Sequence, residues 1–233
     1  MPMNPLNGPA SLADLAYERI EALIANCELE PGLHLTMQSL QKRLGLGRTP
    51  VHQAVKRLAA DTLICIMPRQ GLQVAPINLE RERVLLDLRA NVERIVVSLA
   101  TERANIAQRL QLQTLQRQLE DLGSQITVPQ FNEVDRKIDS LLLCCAGEPF
   151  LCSTLGPLHT IFRRLGSVYH TKAPGADRLS RTVAVHIEVL RTVASGDVRA
   201  AVAASDALMA FIETILARVA HEVPESMLTS CKP

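Results

Sequence analysis

One segment, from Leu40 to Gly71, constrains the fold of this 233-residue chain more than any other. Leu40 and Leu44 are four residues apart, as on one face of a short helix, and two glycines follow closely. Thr49 and Pro50 are typical of a first helical turn, and the apolar residues after them recur at helical spacing. Two short apolar stretches around a Pro-Arg-Gln-Gly turn then predict two strands. Two helices joined by a glycine-containing turn and followed by a two-stranded wing predict a winged helix-turn-helix.

The second of these helices is predicted to expose a polar and basic face. Residues 38–71 contain six Lys or Arg and one acid, whereas the whole chain has a formal net charge of only +1. A merely solvated face is the alternative, but a local basic patch on a near-neutral protein is typical of phosphate binding. A short polar helix also suits readout of the major groove. The pattern therefore predicts DNA contacts from Gln38, Arg48, Thr49, His52, Gln53, Lys56, Arg57, Arg69, Gln70 and Gly71.

Beyond a short linker, the chain keeps a helical pattern to about residue 223. Glycines and prolines divide it into six predicted helices, at about 79–103, 105–122, 128–145, 149–171, 177–195 and 197–221. The predicted fold class is mainly α, with a winged helix-turn-helix domain at 11–76 and an all-helical antiparallel bundle at 77–223. Residues 1–10 are predicted to be a disordered arm and residues 224–233 a flexible tail.

Composition and motifs exclude several classes of protein. No run approaches the roughly 18–20 apolar residues of a membrane span, and the first residues lack the pattern of a signal peptide. We find no phosphate loop and no nucleophile beside an evident base, so we expect no enzyme. The six cysteines form no CxxC pair, which is typical of free thiols in a reducing compartment. We therefore predict a cytoplasmic protein with no membrane partner and no required cofactor.

Two polar residues interrupt the apolar stripes of the predicted bundle. Asp135 lies at the edge of the stripe of the third helix, and His186 lies within that of the fifth. Buried polar groups need partners, so the two could satisfy each other or could line a binding site. Arginine suits carboxylate recognition, although a surface salt bridge is the alternative for each arginine nearby. The predicted ligand site, which the FCD resemblance given below makes an effector site, consists of Arg89, Asp135, Asp139, Arg163, Arg164 and His186.

Residues 11–76 resemble the DNA-binding domain of the GntR family of bacterial transcription regulators. The resemblance departs from the family pattern at four positions, where Gly47, His52, Gln53 and Thr62 replace the usual Ser, Arg, Glu and Gly. Histidine cannot make the bidentate contact to guanine that arginine makes, so the family's operator preference does not carry over at His52. The matching residues include Pro31, Gly32, Leu35, Leu40, Leu44, Gly45, Arg48, Thr49, Pro50, Val51, Ala54, Arg57, Leu58, Gly71 and Val74.

Residues 79–222 resemble the all-helical FCD effector domain of the FadR/VanR subfamily, through Leu88 to Glu93, Asp135 to Asp139, Ala184 to Leu190 and Gly196 to Ala201. In many FCD domains, an aspartate, a histidine four residues later and two further histidines bind a divalent metal. Asp135 and His186 match two of these positions, whereas Asp139 and Leu208 occupy the other two. Leucine cannot coordinate a metal, so the resemblance leaves Asp135, Asp139 and His186 as an incomplete ligand set. A metal-free pocket is the favoured interpretation.

The two resemblances together imply a ligand-responsive transcription regulator. The expected form is a homodimeric repressor that binds an inverted-repeat operator in double-stranded DNA and is released by a small organic acid. The alternative is a metal-dependent sensor or regulator that uses Asp135, Asp139 and His186 to hold a divalent metal. An architectural DNA-binding protein without a ligand is a third option, which the size of the helical domain argues against.

Overall fold

The computed structural model describes residues 11–172 and 178–229, which divide into two compact units. One unit runs up to Asn78 and includes the residues from Pro224 onward, and the other is Leu79–Val223. The first unit is a winged helix-turn-helix and the second is all helical, so the predicted fold class is confirmed. The predicted N-terminal arm at 1–10 lies outside the described residues.

The first unit begins with three helices: α1 (Leu12–Ala25), α2 (Met37–Leu44) and α3 (Arg48–Ala60). Capping residues mark their ends, as Ser11 caps α1 and Thr36 caps α2 by accepting hydrogen bonds from backbone N–H groups. Gly45 ends α2 in the left-handed conformation that favours glycine. Helices α1 and α3 pack together through fully buried side chains that include Ala16, Ile20, Ile24, Val51, Ala54 and Leu58.

The wing is a three-stranded antiparallel sheet of β1 (His34–Leu35), β2 (Ile64–Met67) and β3 (Gly71–Val74), in the order β1-β3-β2. Strand β1 was not predicted, because two residues carry no alternating pattern. Gly71 begins β3 with φ +99°, and a Cβ added to it would lie 2.8 Å from the carbonyl oxygen of Leu35. The close approach of β1 and β3 thus explains why position 71, which was predicted to contact DNA, carries a glycine.

Thr62, which replaces the family's glycine after α3, has φ +60°. This conformation costs a residue with a Cβ roughly 1–2 kcal/mol, and a β-branched residue adopts it rarely. We expect Thr62→Gly to raise the free energy of unfolding by about 1 kcal/mol, measured by urea denaturation. The control is Thr114→Gly in the exposed face of a helix of the second unit, which should lower stability instead. A loss of stability in both variants would show that Thr62 is not strained.

The second unit is a bundle of six long helices and a short 3-10 turn at Gly123–Gln125. Helix α4 packs against α6, α7 and α9, while α5 packs against α6 and α8. The predicted six helices are therefore present, with ends that differ by at most a few residues. Their bounds are α4 (Leu79–Arg103), α5 (Ile106–Leu122), α6 (Val128–Ala146), α7 (Pro149–Lys172), α8 (Arg178–Ser195) and α9 (Val198–Glu222).

Helix α9 is long and apolar enough, by length and composition alone, to cross a membrane. The sequence did not predict a membrane span there, because Asp206 and other polar residues interrupt the apolar run. Core helices pass the same test, and α9 packs against α4, α7 and α8 within the bundle. Its buried face includes Leu208, Phe211 and Ile215. We therefore describe α9 as a core helix of the second unit.

The segment after α9 differs from the predicted flexible tail. Residues Glu225–Thr229 form a short helix, α10, and the side chain of Leu228 is buried. The carbonyl oxygen of Leu228 accepts a hydrogen bond of 2.9 Å from the backbone N–H of Ile77. The predicted tail is thus wrong for residues 225–229, because packing against the linker segment orders a sequence too short to form a stable helix alone.

Candidate DNA-binding surface and effector pocket

The predicted DNA-binding side chains lie mainly on the exposed face of α3 and at the tip of the wing. Helix α3 begins at Arg48, one residue earlier than its Thr-Pro pair suggested, and Gly47 is its N-cap without a side-chain hydrogen bond. At the wing tip, the N–H of Gln70 donates to the carbonyl oxygen of Met67, which closes the turn. The side chains that are exposed are Gln38, Arg48, Thr49, His52, Gln53, Lys56, Arg57, Arg69 and Gln70.

Arg57 differs from the other predicted DNA contacts because it is turned towards α1. Its Nη1 lies 2.6 Å from Oδ1 of Asp14, and its guanidinium lies 4.3 Å from the ring centroid of Tyr17. The hydroxyl of Tyr17 in turn donates to Asp61 at the end of α3. The structure therefore gives Arg57 a partner within the unit, so we expect it to tie α1 to α3 rather than to contact DNA.

In the second unit, Arg163 of α7 joins the two aspartates predicted on α6. Its Nε lies 3.0 Å from Oδ2 of Asp135, and its Nη2 lies 2.5 Å from Oδ2 of Asp139. Nε2 of His186 on α8 lies 3.2 Å from Oδ1 of Asp135, while its Nδ1 donates to the carbonyl oxygen of Thr182. The possible pairing of Asp135 with His186 is therefore present, and Arg163 completes it.

This cluster continues towards α4 through two residues that were not predicted. Glu93 accepts hydrogen bonds from Nε of Arg89 at 3.0 Å and lies 2.8 Å from Nε2 of His159. Nδ1 of His159 lies 3.3 Å from Oδ2 of Asp139, so the buried polar side chains form one continuous network. Glu93 could have been found from the sequence, because it stands four residues after Arg89 on a helix.

The pKa values of these carboxyl groups reflect burial opposed by neighbouring cations. Burial raises the pKa of Asp135, but the charge of Arg163 and the hydrogen bond from His186 outweigh it and hold the pKa well below its ordinary value. Burial raises the pKa of Asp139, with the neighbouring charge of Asp135 adding to it. For Glu93, burial is outweighed by His159 and Arg89, which lower its pKa to about 2. Burial lowers the pKa of His186, but Asp135 reverses the effect and raises it.

Two features of this cluster bear on whether it could hold a divalent metal. The guanidinium of Arg163 lies against both aspartates and would compete with a cation for the same oxygens. Leu208, which occupies the position of the fourth ligand in the family, faces the same cavity with its aliphatic side chain. Within residues 11–172 and 178–229, no group of three or more His, Cys, Asp or Glu is arranged to hold a metal ion.

A cavity that is partly open to solvent lies inside the bundle beside this network. Four of the predicted effector residues, Arg89, Asp135, Arg163 and His186, line it, whereas Asp139 reaches it only through Arg163. The other lining residues approach from several helices, and of these only Leu208 was singled out from the sequence. They are Phe131, Asn132, Phe162, Gly166, His170, Thr182, Leu208, Phe211, Ile212 and Ile215.

Arg164 does not line this cavity, although it was predicted to bind the effector. It is fully buried, and its Nη2 lies 3.3 Å from Oε1 of Glu82 on α4. Burial raises the pKa of Glu82 to about 7, against the opposing charge of Arg164. We therefore assign Arg164 to a separate buried pair and remove it from the effector site.

An exposed basic helix in one unit and a polar cavity inside the helical bundle of the other define a class, the DNA-binding transcription regulators with a separate helical domain. Comparison with known families supports this class for both units. A model described as "Bacterial regulatory proteins, gntR family" matches residues 12–74, and the model of the FCD domain matches residues 84–211. The chain belongs to the GntR family of bacterial regulatory proteins and carries an FCD domain.

Individual relatives are also transcription regulators. The chain is similar to the HTH-type transcriptional regulator McbR of Escherichia coli (strain K12), with 25% identity over 130 residues, 56% of this chain and 59% of McbR. It is similar to the HTH-type transcriptional repressor GlaR of the same strain, with 31% identity over 87 residues, 37% of this chain and 40% of GlaR. The matched segments therefore span less than two thirds of either relative.

Solved structures show the same fold over nearly the whole chain. The structure of E. coli McbR/YncC has a TM-score of 0.80 at 20% identity and covers 91% of this chain and 100% of that chain. A transcriptional regulator from Rhodococcus sp. RHA1 has a TM-score of 0.63 at 17% identity, covering 90% of this chain and 98% of its own. At such identities the likeness shows the fold alone.

Proposed function

We propose that this chain is a ligand-responsive repressor that binds an inverted-repeat operator as a homodimer and is released by a small carboxylate-type metabolite. The observation that carries the proposal is the combination, in one chain, of an exposed basic α3 and a cavity in the helical bundle lined by two arginines. A transcription regulator needs the first to find DNA and the second to sense a metabolite. The name of GlaR, a transcriptional repressor, supports repression as the direction of control.

Operator recognition is assigned to α3 and the wing. Arg48 stands at the first residue of α3, and His52 and Lys56 follow on its exposed face. Arginine at such a position can bond two acceptors of guanine in the major groove, while lysine binds phosphate as a point charge. Arg69 and Gln70 at the wing tip would contact the DNA backbone beside the groove. The phosphate contacts would attract DNA of any sequence, and the contacts with base edges would select the operator sequence.

The homodimer is supported by an apolar stripe on α4. Val84, Leu88 and Ile95 lie on one face of this helix at intervals of four and seven residues, and their exposed fractions are 68%, 48% and 51%. An apolar stripe of this spacing suits contact with another helix. A second copy of the chain is the expected partner, because two copies would place two recognition helices on two half-sites.

Leu88→Asp is expected to convert the dimer into a monomer, because a charged side chain would be buried at the helix contact without a partner. Sedimentation velocity would show half the mass, and operator affinity would fall at least tenfold with the loss of one half-site. Leu110→Asp on the exposed face of α5 is the matched control and should leave the dimer intact. A monomeric wild-type chain, or a dimeric Leu88→Asp variant, would contradict the assignment of α4.

The function itself is tested by finding the operator. The purified chain should retain genomic fragments that share an inverted repeat, with half-site centres separated by about 10 base pairs or a multiple of this. Deleting the gene should raise transcription of the gene beside the repeat. The logarithm of the operator affinity should fall linearly with the logarithm of the salt concentration, because phosphate contacts release counterions. Retained fragments without a shared repeat, or a flat response to salt, would contradict the proposal.

The metal-dependent sensor is a second candidate with less support. It would use Asp135, Asp139 and His186, but Arg163 already lies against both aspartates. We expect purified protein to carry far less than one divalent ion per chain, as measured by inductively coupled plasma mass spectrometry. A finding of about one tightly held ion per chain would instead favour the metal-dependent sensor, with Asp139 as a ligand.

A further inference from the structure

We infer that the effector is a small aromatic monocarboxylate, with its carboxylate on Arg89 and its ring among Phe131, Phe162 and Phe211. The inference rests on the proposed function, since it specifies the ligand of the same cavity. It depends on three features of the cavity: which arginine is available to an anion, which side chains form the apolar wall, and how many carboxylates the site can accept.

Arg89 is the arginine best placed to bind an incoming carboxylate. Arg163 already contacts Asp135 and Asp139, and Arg164 faces Glu82 away from the cavity. Arg89 lines the cavity and contacts Glu93 through Nε alone. Among the described residues, no hydrogen-bond acceptor contacts its two Nη atoms, and neither atom is sealed from accessible space. A guanidinium with free Nη donors can bind a carboxylate through both oxygens.

The apolar wall of the cavity is built from aromatic side chains that are rare elsewhere in the chain. Only 3% of the residues are aromatic, yet three of the four phenylalanines, Phe131, Phe162 and Phe211, line this cavity. The guanidinium of Arg89 lies 5.4 Å from the ring centroid of Phe162, so the anion site and the aromatic wall are adjacent. Aromatic rings pack favourably edge to face with one another, which favours a ligand that carries a ring.

The same wall disfavours sugar acids and dicarboxylates. Leu208, Ile212 and Ile215 of α9 add to the apolar lining of the cavity. Asn132, His170 and Thr182 also line the cavity and offer hydrogen bonds at its polar side, but any hydroxyl group of a sugar acid that faces the apolar surface would lose its hydrogen bonds to water without finding new ones. A second carboxylate would meet either the same apolar surface or the anionic Asp135. One ring and one carboxylate are therefore the best match to the cavity.

The first experiment compares ligands on the wild-type chain by isothermal titration calorimetry. Benzoate and phenylacetate should bind at least tenfold more tightly than gluconate and succinate. Benzamide has the shape of benzoate without its charge and should bind at least tenfold more weakly than benzoate. Tighter binding of gluconate or succinate, or equal binding of benzamide, would overturn the inference. If gluconate or succinate binds more tightly than benzoate and also releases the operator, this inference fails but the proposed function stands.

Matched variants test the two contacts separately. Arg89→Met should weaken benzoate binding at least tenfold and leave benzamide binding unchanged, whereas Arg94→Met, on the exposed face of the same helix, should change neither. Phe211→Leu should weaken benzoate binding severalfold even if Arg89→Met fails to fold, which circular dichroism would reveal. Undiminished benzoate binding in both folded variants would overturn the assignment. If none of the four acids binds the wild-type chain, both this inference and the carboxylate effector of the proposed function fail, while operator binding stands on its own test.

Discussion

Replacing Arg163 with methionine is expected to lower the free energy of unfolding by about 3–5 kcal/mol, because it leaves buried carboxylates without their cation. Arg163 is nearly fully buried and lies between Asp135 and Asp139. Methionine has a similar length, so the change removes mainly the charge and the hydrogen bonds. Urea denaturation at pH 7, followed by the helical signal in circular dichroism, measures the loss.

The loss of stability caused by Arg163→Met should depend on pH in a defined direction. In the wild type, Arg163 and His186 hold the pKa of Asp135 below its ordinary value, so the pairing stabilises the fold at pH values above that ordinary pKa, and this stability is lost as the pH falls through the lowered pKa. In Arg163→Met, the same carboxyl group becomes easier to protonate. The difference between wild type and variant should therefore be largest near neutral pH and shrink as the pH approaches 4.

A surface arginine provides the comparison for this prediction. Arg191 pairs with Glu188 on the exposed part of α8, where solvent screens the ion pair, so its removal should cost little stability. Arg163→Lys keeps the charge but not the forked geometry of the guanidinium. Its loss of stability should therefore lie between that of Arg191→Met and that of Arg163→Met. If Arg163→Met costs no more than Arg191→Met, the buried network does not stabilise the bundle.

The double substitution of Arg48 and Lys56 by alanine is expected to weaken operator binding by roughly 2–4 kcal/mol, with Arg48→Ala alone contributing about 1–3 kcal/mol. Both side chains are exposed on α3, one at its first residue and one two turns later. Loss of the lysine should also reduce the slope of affinity against salt by about 1, as expected of a phosphate contact. Gel-shift titration of the operator at several salt concentrations measures both effects.

The matched control is Arg57→Ala, which removes the same charge from the same helix. Arg57 is bound to Asp14 and lies over Tyr17, so its loss should leave the operator affinity within about threefold of the wild type. Unchanged affinity in the double variant would show that α3 does not read the operator. A large loss in Arg57→Ala would show instead that its contact with α1 does not keep it from DNA.

His52→Arg tests the departure from the family pattern. His52 is exposed on the same face as Lys56, so an arginine there would be available to the major groove. We expect tighter binding to operator variants that present guanine at the facing position, because arginine can bond two of its acceptors. Binding to a panel of single-base operator variants measures the change in preference.

Local sequence signals were sufficient to predict most helices and the type of each domain. Helix α4 runs over residues 79–103 as predicted, and capping residues and glycines mark the ends of the others. The apolar period also placed Asp135 and His186 on faces that meet. These features depend on interactions between residues close in the chain, so periodicity and capping chemistry are enough to reveal them. The wing was predicted for the same reason, because its turn residues and its apolar strands can be recognised from residues close in the chain.

The roles of the arginines were decided by the tertiary structure. Arg163 and Arg164 are neighbours in sequence, yet one contacts Asp135 and Asp139 on α6 and the other faces Glu82 on α4. Two consecutive residues of a helix point about 100° apart, and the sequence does not show which helices lie on either side. Strand β1 and helix α10 likewise form because partners distant in sequence supply hydrogen bonds and burial. The convergence of three phenylalanines on one cavity has the same origin, because packing of separate helices brings them together.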